Sequence, residues 1–227
     1  MAATRWLTFD CYGTIADWNA CMLSALEPVA GASAGALLAS YHRAESILEA
    51  EPWRPYRDIL TDGLTLASRR TGIPVPPAVA GALVTSWPEM TIFPDVAEAL
   101  TAIVASGWHL GILTNCDNDL FESTAVNLPT PFEVVVTAEQ VKSYKPDLGH
   151  FKKFSEMTGA TPATWIHVAN SWVHDILPAS RMGLRSVWVD RDRTGHPAKF
   201  AERRVTAMRR LPEAVLDVSV LPAWPVS

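Results

Sequence analysis

Five short apolar runs punctuate the chain: Trp6–Phe9, Trp108–Leu113, Glu133–Val136, Trp165–Val168 and Ser186–Val189. Within them apolar residues are nearly continuous rather than alternating with polar ones. That is the pattern of strands buried on both faces of a parallel sheet. Helix-like segments separate the runs. Pro94–Ser106 opens on a proline and is followed by Gly107, which is ordinary helix punctuation. Asp117–Val126 and Asp147–Thr158 open on acids that suit the positive end of a helix dipole, and Asp175–Met182 follows the fourth run. This alternation predicts an α/β fold with a doubly wound, Rossmann-like parallel sheet. One last short strand is predicted near Arg204–Met208, inside a charged tail.

The first and second runs are too far apart for one crossover. Between them the periodicity predicts helices at Trp18–Ala30, Ala34–Glu51, Tyr56–Arg70 and Pro77–Trp87, separated by junctions such as Gly31-Ala32-Ser33 and Thr71-Gly72-Ile73-Pro74. The predicted organisation is a core of residues 1–16 and 91–227 with a helical cap, residues 17–90, inserted after the first strand. A lid over the mouth of the sheet would exclude water from it; a purely structural subdomain is the alternative.

Composition narrows the partners. The formal net charge is −5 with no basic stripe, which argues against nucleic acid. No apolar run reaches the roughly 20 residues of a membrane span, and the first strand begins too early for a signal peptide. Cys11, Cys21 and Cys116 have no metal-binding or disulfide spacing, so a cytoplasmic setting is expected.

Four segments fall at the ends of predicted strands: Asp10–Thr14, Thr114-Asn115, Lys145-Pro146-Asp147 and Asn170–Asp175. The carboxyl ends of strands in an open sheet converge on one crevice. One carboxylate, a hydroxyl and an amide, an ammonium and a second carboxylate could meet there, as a nucleophile with an anion-stabilising surround.

Taken in order, Asp10-Cys11-Tyr12-Gly13-Thr14, Leu113-Thr114-Asn115, Tyr144-Lys145-Pro146-Asp147 and the Asn170…Asp175 segment resemble the motifs of the haloacid dehalogenase superfamily. The helical insertion resembles that superfamily's cap. The resemblance implies that Asp10 is a covalent nucleophile oriented by Thr14. Thr114 and Asn115 would hold an anionic substrate group, Lys145 would hold Asp10, and Asp175 would orient Lys145 and the hydrolytic water.

Superfamily members that move phosphoryl groups carry a second aspartate two residues after the nucleophile, as the acid for the leaving alkoxide. Here that residue is Tyr12, whose phenol, with a reference pKa of about 10, is a poor acid for the task. The first acid of the fourth motif is likewise replaced, by Asn170. Halide leaves without a proton, and the first motif resembles that of L-2-haloacid dehalogenases. The leading expectation is therefore a metal-independent hydrolase, without a cofactor, that displaces halide from a small anionic 2-halocarboxylate through an ester on Asp10. Asn170, Asp175 and Lys145 would orient the water. Dehalogenase-like caps supply an arginine for halide; Arg43 is the first candidate, with Arg54 and Arg57 as rivals, and a solvent-facing Arg43 paired with Glu45 is the alternative. Trp18, Trp53 and Trp172 would wall the site. Cys11 and His167 read as core residues and His174 as a surface residue.

The resemblance has gaps. A tyrosine expected near Phe151 is absent, and two extra residues precede Asp175, which is phosphatase spacing. A Mg²⁺-dependent phosphatase, with the ion on Asp10, the Tyr12 backbone and Asp175, stays open, as does a non-catalytic binding protein. A homodimer is compatible with the resemblance.

Overall fold

The computed structural model describes residues 4–221. Six parallel strands form one sheet: β1 (Trp6–Phe9), β2 (His109–Thr114), β3 (Val134–Thr137), β4 (Trp165–Ala169), β5 (Arg185–Val189) and β6 (Arg203–Val205). Their order is β3-β2-β1-β4-β5-β6. The chain winds outward from β1 through β2 to β3, then returns to the other side of β1 for β4. The strand order therefore reverses at β1, and loops leaving β1 and β4 diverge to open a crevice. Phe9 lies level with Ile112 on one side and Val168 on the other, so Asp10 emerges between the ends of β2 and β4.

Strand β1 is buried on both faces, with Thr8 the one polar residue in its run. Leu7 and Phe9 join the main core, while Trp6 packs with Phe151, Phe154 and Trp165 in a second layer. The helices are α1 (Trp18–Ala30), α2 (Ala34–Glu49), α3 (Tyr56–Thr71), α4 (Ala82–Thr85), α5 (Val96–Ala105), α6 (Asn118–Ala125), α7 (Ala138–Val141), α8 (Gly149–Thr158), α9 (Leu177–Arg181) and α10 (Leu211–Ser219).

Between β1 and β2 the chain is helical, with α2 packed on both α1 and α3. Pro77–Trp87, expected as one helix, is instead a 3₁₀ turn at Pro77–Val79, the single turn α4, and a second 3₁₀ turn at Trp87–Glu89. Gly81 loosens the middle of that stretch, and Pro88 lacks the N–H a continuing helix would need. The stretch Trp18–Glu49 is, by length and composition alone, apolar enough to cross a membrane, contrary to expectation. Gly31 divides it into two helices, each burying an apolar face. Asp175–Met182 also departs from a simple helix: a π-helical turn, Trp172–Ile176, precedes α9.

At Gly111 in β2 a side chain has no room. A Cβ there would lie 2.5 Å from Cε2 of the fully buried Phe154 and 3.2 Å from Cγ2 of Thr8. Gly111→Ala is expected to lower stability by about 1–3 kcal/mol through overpacking. Urea unfolding checks this; an unchanged midpoint would mean that the Phe154 ring yields freely.

Candidate active site

Asp10 continues the β1 ladder by one residue, its N–H donating to the Val168 carbonyl at 3.0 Å. The chain then turns sharply through Gly13, whose φ of +84° favours glycine. The turn brings Thr14 back beneath Asp10. The Thr14 hydroxyl accepts from the Asn170 N–H at 2.8 Å and donates to Asp10 Oδ2 at 2.8 Å. From outside, the Arg191 guanidinium donates to the Thr14 carbonyl at 3.0 and 3.1 Å and pairs with Asp95 at 3.0 Å. The turn is thus fixed from both sides.

Lys145 lies at the centre of the site, 1% exposed. Its ammonium has three protons, and each has an acceptor: Asp10 Oδ1 at 2.9 Å, Asp175 Oδ1 at 2.7 Å and the Leu113 carbonyl at 2.8 Å. Asn115 grips the lysine's backbone: its Oδ1 accepts from the Lys145 N–H at 2.7 Å and its Nδ2 donates to the Lys145 carbonyl at 3.0 Å. The sharing of Lys145 by Asp10 and Asp175 settles the register of the fourth motif. The five-residue step from Asn170 to Asp175 is realised through the π-helical turn, a distortion often found at functional sites.

Behind Asp175 runs a buried relay. The Trp165 indole N–H donates to Thr8 Oγ1 at 2.7 Å, the Thr8 hydroxyl lies 2.8 Å from His167 Nδ1, and His167 Nε2 lies 3.0 Å from Asp175 Oδ1. An imidazole facing a carboxylate presents an N–H to it, so His167 Nε2–H donates to Asp175. Asp175 Oδ2 is buried without a protein partner.

Protonation follows from this wiring. Burial pushes the Asp10 carboxyl above the ordinary aspartate value; Lys145 opposes the rise, and the charge of Asp175 adds to it. Burial also acts on Asp175, but Lys145 and His167 overcome it and hold that carboxyl at about 2. Burial disfavours the Lys145 ammonium, yet the two facing carboxylates keep its pKa above the ordinary lysine value.

These groups form the floor of a cavity of about 380 Å³ whose far wall is α2. His42, Glu45, Ser46 and Glu49 face the cavity from that helix, at the i, i+3, i+4, i+7 spacing of one helical stripe. Arg43 is one residue off the stripe and exposed, so the expected cap arginine does not reach the cleft. Its rivals are engaged elsewhere: Arg54 pairs with Asp62 at 2.8 Å, and Arg57 pairs with Asp117 and Asp119. No arginine lines the cavity among the described residues.

Other expectations also change. Thr114 is fully buried beneath the cleft, its hydroxyl directed at Cys116, because the last residue of β2 points inward. Asn115 does line the cavity. The Tyr12 ring lines it too, but its hydroxyl turns away to Thr124 at 3.0 Å and accepts from the Trp87 indole at 3.2 Å. Asn170 is at the rim with both ends of its amide engaged, by Asp192 at 2.9 Å and the Arg191 N–H at 3.1 Å, rather than free to hold water. Trp18 and Trp172 form part of the wall, Trp172 stacked on His196 with ring centroids 4.6 Å apart; Trp53 lies instead beside a neighbouring cavity. His174, expected on the surface, faces the cleft with Nε2 3.6 Å from Glu49 Oε2. Cys11 is buried, and burial pushes its thiol well above the usual value. Phe151 lies in the second core layer, against the His167 ring at 5.0 Å.

Sequence reasoning missed Glu45, Glu49 and the part His167 plays. The stripe on α2 is legible as amphipathic spacing, but nothing in it says which face meets the sheet.

The donor set does not suit a divalent cation. The Lys145 ammonium already occupies the position between Asp10 and Asp175, Asn170 replaces an acid, and only Asp175 Oδ2 is left without a partner. No metal-ligating group of three acids, histidines or cysteines occurs among the described residues.

The family model described as haloacid dehalogenase-like hydrolase matches residues 79–189. An (S)-2-haloacid dehalogenase of Burkholderia cepacia is 28% identical over 203 residues, 86% of each chain. A crystal structure of the L-2-haloacid dehalogenase from Xanthobacter autotrophicus, with chloropropionic acid covalently bound, superposes with a TM-score of 0.80 at 17% identity, covering 94% of this chain and 98% of that one. A phosphatase of the superfamily from Thermococcus onnurineus gives 0.62 at 19% identity, covering 96% of this chain and all of the other. In its parallel sheet, in its four strand-end segments and in these matches the chain is similar to haloacid dehalogenase-like hydrolases.

Replacing His167 isolates the relay. His167→Phe removes a donor from Asp175, so the carboxyl is expected to rise from about 2 toward the ordinary range, and stability at neutral pH to fall by about 1–3 kcal/mol. A lowered carboxyl stabilises the fold above its unfolded pKa, and that contribution is lost as pH falls through the folded pKa. The gap between wild type and variant should therefore narrow between neutral pH and about 2. Unfolding measured across that range checks it; a gap independent of pH would assign His167 to packing alone.

Proposed function

We propose that this protein hydrolyses a bond to saturated carbon in a small carboxylate, by the chemistry of a 2-haloacid dehalogenase and without a metal ion. The observation that carries this reading is Asp10 itself. It is a carboxylate at the cavity floor, fixed by Lys145 and Thr14 and facing a space large enough for a small acid. Residues 17–90 act as the cap, with α2 above the nucleophile.

In the first step an Asp10 oxygen attacks carbon and the halide leaves with the bonding pair, which gives an aspartyl ester. Lys145 and Thr14 orient the attacking group, so little reorganisation is needed on the way to the transition state. In the second step water adds to Cγ of Asp10. The alkyl oxygen departs as the product hydroxyl, and the water oxygen stays in the carboxylate. The unpartnered Asp175 Oδ2 is the acceptor placed to hold that water. The likeness to a dehalogenase with covalently bound chloropropionic acid supports the same route.

The second reading, a Mg²⁺-dependent phosphatase, draws on the Asn170 to Asp175 spacing and on the phosphatase fold match. The two separate on a pair of assays. Chloride release from 2-chloropropionate, read by ion chromatography and unaffected by EDTA, is expected. Phosphate release from p-nitrophenyl phosphate that EDTA abolishes, without halide release, would replace this proposal with the phosphatase. Asp10→Asn is expected to lower kcat by roughly 10⁴-fold or more. Asp10 must be ionised to attack, and burial raises its pKa. Activity is therefore expected to fall on the acid side at a pH above the ordinary aspartate range, a limb that a pH series of kcat/KM locates.

A further inference from the structure

Glu45 and Glu49 project one turn apart from α2 into the cleft, their side chains 14% and 7% exposed, with no lysine or arginine paired to either among the ion pairs of the described residues. Glu45 is tied in place. Its Oε1 accepts from the hydroxyls of Tyr41, at 3.3 Å, and Tyr56. Glu49 differs. Its Oε1 accepts from Asn115 Nδ2 at 3.2 Å, the same amide that grips the Lys145 backbone, and its Oε2 faces His174 Nε2 at 3.6 Å. Glu49 and His174 also line a second cavity of about 600 Å³ that adjoins the first, so they stand between the nucleophile's chamber and another opening.

Across the cavity from Asp10, α2 thus offers carboxyl groups, and no guanidinium lines the cleft among the described residues. We propose that Glu49 is a general acid that gives its proton to the leaving atom, which extends the reaction from carbon–halogen bonds to carbon–oxygen bonds of small strained-ring carboxylates. The proposal rests on Asp10 being the nucleophile. Asp10 attacks a ring carbon, the carbon–oxygen bond breaks with its electron pair on oxygen, and the Glu49 proton passes to that oxygen. Ester hydrolysis then consumes one water, and Glu49 regains a proton from solvent through His174.

The surroundings of Glu49 favour its acid form. Burial pushes the carboxyl well above the usual glutamate value, and the adjacent Glu45 charge adds to the rise. Asn115 and Lys145 pull the other way, and Asp175 raises it further. From the packed elements Tyr41, Tyr56 and Tyr144 also face it; burial raises each of these phenols, so none brings a charge at neutral pH. Tyr12, at the sequence position of the superfamily's usual acid, has its hydroxyl turned from the site. The proton donor missing from the first motif is supplied from the cap.

The test compares two substrates of one protein, 2-chloropropionate and oxirane-2-carboxylate, with ring opening followed by proton NMR. Wild type is expected to open the ring to 2,3-dihydroxypropionate. Glu49→Gln is expected to lose at least tenfold more kcat on the oxirane than on the chloride, and Glu49→Asp to recover part of that difference. Circular dichroism and the chloride reaction report whether the variants fold; if Glu49→Gln does not, Glu49→Asp and the wild-type pH profile on the oxirane, which should fall as Glu49 ionises, decide. Equal losses on both substrates, or chloride release with the oxirane untouched, would overturn the role of Glu49 and leave the nucleophile reading intact. No turnover of either substrate, with no adduct on Asp10, would overturn both.

Discussion

One ammonium shared by two buried carboxylates holds this site together. Lys145 has no proton to spare and is almost wholly buried, and each of its acceptors comes from a different strand end. Asp10 follows β1, the Leu113 carbonyl belongs to β2, and Asp175 follows β4. Burying three charges is costly, and such clusters seldom add net stability over apolar packing. Their value here is position. The cluster fixes a carboxylate at the mouth of the sheet, where the strand order reverses, and neighbouring contacts reinforce it: Asn115 on the lysine backbone, the Thr14 hydroxyl on Asp10, and the Trp165–Thr8–His167 relay on Asp175.

The charge balance of the cleft then constrains its chemistry. Asp10, Glu45, Glu49, Asp175 and Asp192 line it, against the single ammonium of Lys145. An anionic substrate can enter only if part of that negative charge is neutralised, and a buried acid that keeps its proton does so. On the proposal above, Glu49 on α2 bears on both binding and bond cleavage. The helical segment contributes titratable groups to the site as well as covering it.

Much of the core was legible because buried parallel strands write themselves as apolar runs. All six strands fall where such runs or the charged tail placed them, within a residue or two, except β6, which ends three residues early, at Val205. The strand-end logic also brought Asp10, Thr14, Lys145 and Asp175 together, since only topology is needed to converge them. What failed depended on rotation and on tertiary partners. Arg43 and Glu49 lie on the same helix, and a turn of 100° per residue separates a wet face from the one that lines the cleft. Thr114 points inward because β2 is central and its last residue alternates toward the core. Tyr12 turns toward Thr124 and Trp87, partners from distant segments that no local pattern names. The break at Pro77–Trp87 was readable from Gly81 and Pro88, which outweigh the apolar spacing.

The central claim is that Asp10 becomes covalently attached to substrate carbon and is then regenerated by water. Single-turnover reaction of 2-chloropropionate in ¹⁸O-water, with the protein in excess, tests it through mass analysis of the peptide that carries Asp10. Label in the Asp10 carboxylate, with unlabelled hydroxyl in the first product formed, is the expected result. Label in that first product, with Asp10 unlabelled, would mean that water attacks the substrate directly and would contradict the nucleophilic role.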